Sequence, residues 1–465
     1  MSARIVKFNK SHELLARIQA VIPGGSHTYS KGFDQFPYRS PQLVTRAEGA
    51  HCWDVDGNRY IDWAMGNRVI ILGHAYRAIN EAVKRQIDEG INFTRPGILE
   101  LELAEYLIAM HPWAEMAKFG KNGSDVTTAA VKLARAFTGR KYVAACADHP
   151  FFSIHDWFIG ATEMSAGIPE EDRRCTVKFR YNDIESVEQL FQQYPGQIAC
   201  LILEPVKNDE PRDHFLEKLR ALATREGAIL IFDEMIAAMR FDVRGAHHLY
   251  KVYPDLATFG KAVSNGFSFS FLVGKRDIME LGGLQHDRPR VFLLSQTHAS
   301  ETVGLAACRA TMEECVRLNV SAHVWRMGSR LVAGFREIAV NEGVQDHVRI
   351  IGFDCNPQIL CTRSDGTYWP ELHTSFHEEV VAQGVLIPWI SITYSHGDAE
   401  LEHTLAALAA GMQKVRRLLE SGAPIDASFE GSASKPVFRK YNRCQQGICG
   451  REHSEAPKLQ CCRDA

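Results

Sequence analysis

The sequence predicts an α/β protein in which a large, mostly parallel sheet covered by helices is joined to a smaller α+β unit. Between about residues 75 and 310, helical patterns alternate with short apolar strands, as they do in parallel sheets. Residues 300–342 have the pattern of long helices that lead into a smaller unit at about 345–420. With 465 residues, the chain is long enough for two or three domains with substantial cores.

Each predicted element follows from its local pattern. Residues 12–22 have the periodicity of an amphipathic helix, which ends at Pro23-Gly24-Gly25. The segment His51 to Asp62 indicates two short strands around an Asp-Gly-Asn turn. In the larger part, the predicted strands are Tyr142–Cys146, Thr176–Phe179, Ile198–Leu203 and Ala228–Phe232, and the predicted helices are Ala75–Glu89, Leu99–Met110, Ser124–Phe137, Ile184–Gln193 and Asp213–Arg225.

Composition and charge argue against several classes of function. The net charge of −3 gives no electrostatic support for nucleic-acid binding. The N-terminal residues lack the apolar region of a signal peptide, and no stretch approaches 18 uncharged apolar residues. Eight of the twelve cysteines are scattered singly, which is typical of reduced thiols. We therefore expect a cytoplasmic protein that binds neither nucleic acid nor membrane.

The composition changes from about residue 424. The stretch from Pro424 to Pro436 is rich in small residues and has no periodicity, which favours a flexible appendage. Beyond it lie four cysteines and a histidine, namely Cys444, Cys449, His453, Cys461 and Cys462. Their spacing fits no zinc signature well, so we predict an unstructured tail and no metal site. An opportunistic metal or redox site is the alternative.

A lysine that follows a buried acid carries the strongest chemical signal. The apolar run Ala228-Ile-Leu-Ile-Phe-Asp-Glu234 ends in two acids, and Lys261 follows in the context Phe259-Gly-Lys-Ala-Val-Ser264. Pyridoxal phosphate (PLP) chemistry requires such a pair, because the lysine forms a Schiff base with the cofactor aldehyde and Asp233 keeps the pyridine nitrogen protonated. A surface lysine after an ordinary core strand is the alternative interpretation of the pair taken alone.

Two further segments suit the same cofactor. Gly123 and Ser124 open a predicted helix, where backbone N–H groups and the helix dipole favour a phosphate, although an ordinary helix N-cap has the same pattern. The loop after the strand that ends at Cys146 contains Phe151 and Phe152, either of which suits stacking on a planar ring. A hydrophobic loop that fills the core is the alternative for these aromatic residues.

Taken together, these motifs resemble those of a known family. The chain is similar to the class III, fold-type I PLP-dependent aminotransferases, and within them to the branch of glutamate-1-semialdehyde aminomutase. The resemblance covers about residues 12–420. It rests on Ile22-Pro-Gly-Gly25, the segment from Trp53 to Asp62, Leu72-Gly-His74, Asn122-Gly-Ser124, Glu204-Pro205, Asp233-Glu234 and Phe259-Gly-Lys261, all in the family's order.

The resemblance implies roles for individual residues. Lys261 is expected as the Schiff-base lysine, Asp233 as the partner of the pyridine nitrogen, and Gly123 and Ser124 as phosphate ligands. Three more expected cofactor contacts are Phe151, at the position of a ring-stacking tyrosine, Glu204, near the ring, and Thr297, which in the family reaches the phosphate of the neighbouring subunit. A phosphate site shared in this way implies a homodimer.

The resemblance also implies a domain organisation. We expect residues 1–74 to be an N-terminal segment that joins the small domain, and 75–310 to be the large PLP-binding domain. Residues 311–422 are expected as the C-terminal small domain, and 423–465 as the flexible cysteine-containing tail.

Departures from the aminomutase pattern concern the substrate. Where that branch has an arginine that holds the substrate carboxylate, this chain has Lys31, which keeps the charge but loses the planar two-point geometry. The segment Ala238-Met239-Arg240 replaces Gly-Phe-Arg and keeps only the arginine. We therefore expect an aminotransferase that uses a small-molecule amino donor and a keto or aldehyde acceptor. An intramolecular aminomutase is the first alternative, and a non-catalytic PLP-fold binding or regulatory protein is the second.

Overall fold

Helices and strands alternate along much of the chain, for which the computed structural model describes residues 4–442. The helices and short helical turns are α1 (Asn9–Val21), α2 (Met65–Arg68), α3 (Arg77–Glu89), α4 (Ile98–Met110), α5 (Gly123–Thr138), α6 (Asp156–Ile159), α7 (Glu170–Arg173), α8 (Ile184–Gln193), α9 (Phe215–Glu226), α10 (Ala246–Tyr250), α11 (Arg276–Met279), α12 (Thr302–Arg317), α13 (Val320–Asn341), α14 (Pro370–Ala382) and α15 (Asp398–Ser421). The strands are β1 (Val44–Glu48), β2 (His51–Asp54), β3 (Arg59–Asp62), β4 (Met116–Gly120), β5 (Tyr142–Cys146), β6 (Thr176–Phe179), β7 (Ile198–Leu203), β8 (Ile229–Asp233), β9 (Leu256–Phe259), β10 (Ser270–Gly274), β11 (Val348–Phe353), β12 (Asn356–Cys361) and β13 (Val385–Leu386).

The largest sheet has seven strands in the order β4-β10-β9-β8-β7-β5-β6. Strands β5 to β9 run parallel to one another, and only β10 is antiparallel to its neighbours, β4 and β9. All residues of β7 and β8 are buried, as expected for strands that helices cover on both faces. The prediction of a mostly parallel α/β sheet is confirmed.

The predicted bounds of β5, β6 and β7 coincide with the observed ones, and β8 begins and ends one residue later than predicted. The sequence interpretation missed β4, β9 and β10. These strands have only four or five residues each, and β10 pairs Phe271 with Phe119 on one side and with Phe259 on the other. Their extended conformation therefore depends on partners far away in the sequence.

A second sheet joins the two ends of the chain. Strands β1, β2 and β3 form an antiparallel meander, and β13 pairs parallel to β3 through Val385 and Ile61. The antiparallel pair β11–β12 forms a third sheet. The long helices predicted at 300–342 are present as α12 and α13, whose buried faces pack into one continuous core with residues of the second sheet.

The part of the C-terminal segment up to Asn442 lies against the folded chain, which differs from the expectation of a flexible appendage. Ser434 N donates a hydrogen bond to Thr374 Oγ1 at 2.9 Å, and Lys435 N donates one to Asp34 O at 2.9 Å. Ser434 is 7% exposed and packs against α14, because its small side chain needs little volume. The predicted tail residues Cys444, Cys449, His453, Cys461 and Cys462 lie outside the described residues.

Within residues 4–442, no helix combines the length and the apolar character that crossing a bilayer requires.

Candidate active site

Two acids and a lysine follow three adjacent parallel strands at the same edge of the large sheet. Glu204 comes directly after β7, Asp233 is the last residue of β8, and Lys261 follows β9 by two residues. Ligand sites of open parallel sheets lie at the carboxyl ends of the strands. The fold thus brings together three of the residues that the sequence singled out.

Lys261 begins a short 3₁₀ turn and has a backbone φ of +51°, a left-handed conformation that is uncommon for a residue with a Cβ. Burial lowers the pKa of its amine, and the charges of Asp233 and Glu204 offset only part of that effect. The side chain is half-buried. The neutral form of an amine attacks a carbonyl carbon, and a lowered pKa increases the share of that form.

Asp233 is buried at the end of β8, with 2% of its surface exposed. Its Oδ1 accepts a hydrogen bond from Met235 N at 3.0 Å, and Thr258 Oγ1 lies 3.4 Å away. Burial and the charge of Glu204 raise the pKa of Asp233, whereas Lys261 lowers it. A carboxylate held in this way is stabilised by any positive group that binds next to it.

Glu204 is buried beside this pair and has a more polar surrounding. Its backbone N–H donates to His149 Nδ1 at 3.0 Å, and Lys207 Nζ lies 3.2 Å from Oε1. Its Oε2 is shielded from solvent and has no hydrogen-bond partner among the described residues. Burial raises the pKa of Glu204, but the charges of Lys207, His149 and Lys261 and the hydrogen bond from Lys207 together hold it below its ordinary value.

The start of α5 has unused hydrogen-bond donors. The backbone N–H groups of Gly123 and Ser124 donate to no residue in the described range, and Ser124 Oγ accepts a hydrogen bond from Ile154 N at 3.0 Å. A Cβ on Gly123 would lie 2.9 Å from Met235 Sδ, and a Cβ on Gly260 would lie 2.7 Å from the same atom. The two glycines therefore allow the loops after β4 and β9 to approach the loop after β8 closely.

The two phenylalanines of the loop after β5 have different environments. Phe152 is 2% exposed and packs in the core of the large sheet, and its carbonyl oxygen accepts a hydrogen bond from Thr127 Oγ1 at 2.8 Å. Phe151 is 41% exposed and contacts Phe158 edge-on, with ring centroids 5.8 Å apart. Of the two, only Phe151 has a ring face available to a ligand.

Two predicted site residues lie on the surface of the chain. Thr297 is exposed, and its carbonyl oxygen accepts a hydrogen bond from Asn92 Nδ2 at 3.0 Å. Lys31 is exposed at the end of a short 3₁₀ turn, and its amine makes no hydrogen bond or ion pair within residues 4–442. Neither residue is linked by a hydrogen bond to Lys261, Asp233 or Glu204.

Three polar residues near the site were not predicted from the sequence. Lys207 and His149 flank Glu204, and the positive charge of Arg68 acts on both Glu204 and Lys261. A local signal existed for each of them. Lys207 and His149 follow buried strands at their carboxyl ends, and Arg68 is the only charged residue in the stretch from Trp63 to Leu72.

Between residues 4 and 442, no group of three or more His, Cys, Asp or Glu side chains is arranged to hold a metal ion.

Comparisons with known proteins show which family the whole chain resembles. The family model described as Aminotransferase class-III matches residues 37–388. The 3-aminobutyryl-CoA aminotransferase of Cloacimonas acidaminovorans (strain Evry) is 29% identical over 427 residues, which cover 90% of this chain and 100% of that protein. The FumI protein of Sphingopyxis sp. MTA144, solved in a PLP form, has a TM-score of 0.80 at 26% identity, with 90% of this chain and 100% of that chain covered.

The chain is also similar in fold to an enzyme of the aminomutase branch. A glutamate-1-semialdehyde aminomutase from Pseudomonas aeruginosa PAO1 has a TM-score of 0.75 at 20% identity, with 88% of this chain and 95% of that chain covered. Since an identity of this size shows only a shared fold, the narrower resemblance to the aminomutase branch stays a prediction.

Proposed function

The chain belongs to the class III aminotransferases, and we propose that Lys261, Asp233 and Glu204 form the centre that carries out its reaction. It is a PLP-dependent enzyme that moves an amino group from an amino donor to a keto or aldehyde acceptor. One observation supports the residue assignment above all: an amine with a lowered pKa and two buried acids follow adjacent parallel strands.

The residues around this centre fit the cofactor. The free N–H groups of Gly123 and Ser124, together with the hydroxyl hydrogen of Ser124, suit a phosphate at the start of α5. The exposed ring of Phe151 suits one face of a pyridine ring, and buried Asp233 suits a protonated ring nitrogen. These four residues would hold the cofactor.

When bound, PLP supplies an aldehyde that condenses with amines and a ring that accepts electrons from the substrate. Lys261 Nζ would hold the cofactor covalently between turnovers. After a donor amine displaces it, Lys261 Nζ would take a proton from the substrate carbon that carries the nitrogen, as a general base. Its lowered pKa suits this role, because only the neutral amine accepts a proton and a lowered pKa raises the share of the neutral form near physiological pH.

Asp233 and Glu204 would set the charges around this amine. Asp233 would keep a proton on the ring nitrogen, because a buried carboxylate strongly favours a positive neighbour. Glu204 has one carboxylate oxygen near Lys207 and one without a partner, and its charge acts on Asp233 and Lys261 as well as on Lys207. Lys207 would keep Glu204 ionised throughout the reaction.

The proposed activity is tested by half-reaction spectroscopy. The PLP form of the purified holoenzyme is mixed with single amines and amino acids, and its absorbance is followed as the pyridoxamine form appears. Conversion with release of an equal amount of a keto product supports transamination. Isomerisation of one substrate without any released keto product would point to the mutase instead, and no conversion across a wide panel would contradict both.

A surface patch, which we define as Ile91, Phe93, Ile98 and Leu101, supports a proposal about the oligomeric state. These side chains are 42%, 49%, 69% and 54% exposed. The hydrogen bond from Asn92 to the carbonyl oxygen of Thr297 places the loop of Thr297 beside this patch. Clustered exposed apolar side chains mark interaction surfaces, so we propose a homodimer in which Thr297 contributes to the partner's phosphate site.

Mixed dimers test this proposal. We expect Thr297→Val alone to weaken PLP retention, because it removes one hydroxyl ligand of the phosphate. Lys261→Ala alone should be inactive, and mixing the two variants should restore activity. In a mixed dimer one site has both Lys261 and the Thr297 hydroxyl, while the other site has neither. Verified mixed dimers without any recovery would show that Thr297 serves its own chain or no site.

We also propose the domain division given by the resemblance. Glu204, Asp233 and Lys261 all lie between residues 75 and 310, together with the seven strands of the large sheet. The pairing of β13 with β3 joins the N-terminal segment to the C-terminal part. Limited proteolysis between α12 and α13 should therefore leave a large N-terminal fragment associated with the C-terminal one.

Free thiols support a cytoplasmic location, which we propose for the enzyme. All eight cysteines of the described residues are unpaired, and seven of them are buried. A reducing compartment maintains this state. Fractionation of cells that express the tagged full chain would test the location.

A further inference from the structure

The turn α2 has a backbone conformation that is rare for its residues. Met65, Gly66, Asn67 and Arg68 have φ values of +46°, +60°, +71° and +66°, so four consecutive residues are left-handed. Only glycine adopts this region freely, because a Cβ comes too close to the following carbonyl oxygen. Strain of this kind persists only where the surrounding structure holds it, and it concentrates at ligand sites.

Side chains from near and distant parts of the chain hold this turn in place. Asp62 Oδ1 accepts a hydrogen bond from Ala64 N at 2.8 Å, and Trp389 Nε1 donates to Ala64 O at 2.9 Å. Arg240 Nη2 donates to the carbonyl oxygen of Arg68 at 2.6 Å. The position of Arg68 is therefore fixed by the fold and not by contacts of its own side chain.

The guanidinium of Arg68 has no acceptor in the described part of the chain. It donates no hydrogen bond there, and its Nε is shielded from solvent. The neighbouring buried arginine differs, because Arg240 uses both terminal nitrogens, on Ile236 O, on Arg68 O and on Ser391 Oγ. A shielded guanidinium nitrogen without an acceptor costs free energy, which an anion bound beside it would offset.

Arg68 lies within the reach of the catalytic charges. Burial lowers the pKa of Arg68 to about 10, and the charge of Glu204 acts in the opposite direction. The positive charge of Arg68 in turn lowers the pKa of Lys261. Arg68 is half-buried, as Lys261 is, and the mutual influence of their charges and that of Glu204 indicates that the three groups lie close together.

We propose that Arg68 binds a carboxylate of the amino donor or acceptor and so determines which substrates the enzyme takes. A guanidinium presents two parallel N–H groups that match a carboxylate, and here they have no acceptor within the protein. The proposal deepens the proposed function, on which it rests. It places the carboxylate contact at Arg68 and not at exposed Lys31, whose neighbour Ser30 accepts a hydrogen bond from Asn67 of the turn at 3.1 Å.

The test compares two unreactive probes on the PLP-loaded enzyme. Butanoate carries a carboxylate, butanamide is its neutral counterpart of the same shape, and neither has an amine that can react. Their binding is measured from the change in the absorbance of the cofactor. We expect the unmodified enzyme to bind butanoate about 10 to 100 times more tightly than butanamide, the range of a hydrogen bond to a charged group.

Variants locate this preference. Arg68→Gln should bring the two affinities to within about twofold, because the amide keeps a donor but has no charge. Lys31→Gln is the matched control at the exposed position and should leave the preference unchanged. An unmodified enzyme without any preference, a preference that survives Arg68→Gln, or one that disappears in Lys31→Gln would each overturn the proposal.

Further controls distinguish a failure of this proposal from a folding defect and from a failure of the proposed function. Thermal unfolding and PLP content establish that Arg68→Gln is folded, and Arg68→Lys replaces it if it is not. Lysine keeps the charge but loses the two-point geometry, so the preference should fall at least threefold, and an unchanged preference would contradict the proposal. Because binding is measured without turnover, an enzyme that converts no amine but prefers butanoate through Arg68 would overturn only the proposed function.

Discussion

Asp233 and Glu234, two neighbouring acids at the end of β8, belong to buried charged clusters that differ in how fully the protein supplies their hydrogen-bond partners. Glu234 accepts hydrogen bonds from Ala246 N at 2.9 Å, from His247 N at 2.8 Å and from His247 Nδ1 at 2.8 Å. Both of its carboxylate oxygens are thus satisfied inside the protein. Asp233, one residue earlier, lies with Glu204 and Lys261 in a cluster where Glu204 Oε2 has no partner.

This difference distinguishes a cluster with a structural role from a cluster with a functional role. A buried charge whose partners are all supplied by the chain stabilises a local conformation, here the start of α10. A buried charge that the chain leaves unmatched costs stability and is retained where a ligand completes it. Accordingly, Lys261 and Asp233, whose pKa values are perturbed, belong to the cluster that the chain leaves unmatched.

The largest effect is expected at the lysine of the unmatched cluster. Lys261→Ala should lower kcat by about 10⁴-fold or more, because it removes both the covalent attachment and the general base. Its unfolding free energy should not fall, since a buried amine with a lowered pKa disfavours the folded state. Steady-state kinetics and chemical denaturation measure the two effects, and substantial residual turnover would assign the base to another residue.

The second prediction contrasts the two acids of the pair directly. Asp233→Asn should retain PLP but lose about 10²- to 10³-fold in kcat, because an amide does not keep the ring nitrogen protonated. Bound cofactor is measured by absorbance in the same preparation. Near-normal rates in this variant would mean that another group holds the ring nitrogen.

Glu234→Ala should have the opposite profile. It leaves three donors without their acceptor, so we expect the unfolding free energy to fall by about 3–5 kcal/mol. The folded fraction should keep most of its kcat. Glu204→Gln is the control in the unmatched cluster and should change stability by no more than about 1 kcal/mol while it reduces turnover. Equal destabilisation by both variants would break the comparison.

A fourth prediction uses pH and the histidine beside Glu204. Burial lowers the pKa of His149 to about 4, so His149 stays neutral in the folded protein while the unfolded chain takes up a proton below about pH 6.5. Its contribution to stability is therefore present above pH 6.5 and is lost as the pH falls toward 4. As the pH falls from 6.5 to 4, the His149→Gln variant should therefore lose less unfolding free energy than the unmodified protein, by up to about 3 kcal/mol. Parallel pH profiles for both proteins would contradict it.

The smallest effect is expected at Lys207. Lys207→Met removes the cation 3.2 Å from Glu204 Oε1, so the pKa of Glu204 should rise and the acidic limb of the pH–rate profile should move to higher pH. At neutral pH we expect about a tenfold loss in kcat, which is the scale of one charged hydrogen bond. Lys207→Arg is the control that keeps the charge. An unshifted acidic limb would show that Lys207 does not influence Glu204.

Much of the fold and part of the site could be predicted from the sequence because their signals are local. Strands β5 and β7 are continuous apolar runs, β6 combines β-branched and aromatic residues with one lysine, and Asp233 follows an apolar run. Strands β4 and β10 were missed, since their pairing partners are distant in the chain.

The unpredicted site residues depend on contacts over long distances in the sequence. Arg68 is held by Arg240, and His149 meets Glu204, although neither pair is close in the sequence. The local signals at Arg68 and His149 single out these residues but do not identify the partners that they contact. The choice between Phe151 and Phe152 likewise depends on which ring the core accommodates, and the core accommodates Phe152.

The central claim is that Lys261 carries the cofactor at the carboxyl edge of the large sheet. Borohydride reduction of the PLP-loaded enzyme, followed by digestion and mass spectrometry of the peptides, tests it most directly. We predict one reduced pyridoxyl label, on the peptide that contains Lys261. A label on Lys207 or on any other lysine, or an enzyme whose PLP is not trapped by reduction, would contradict the account.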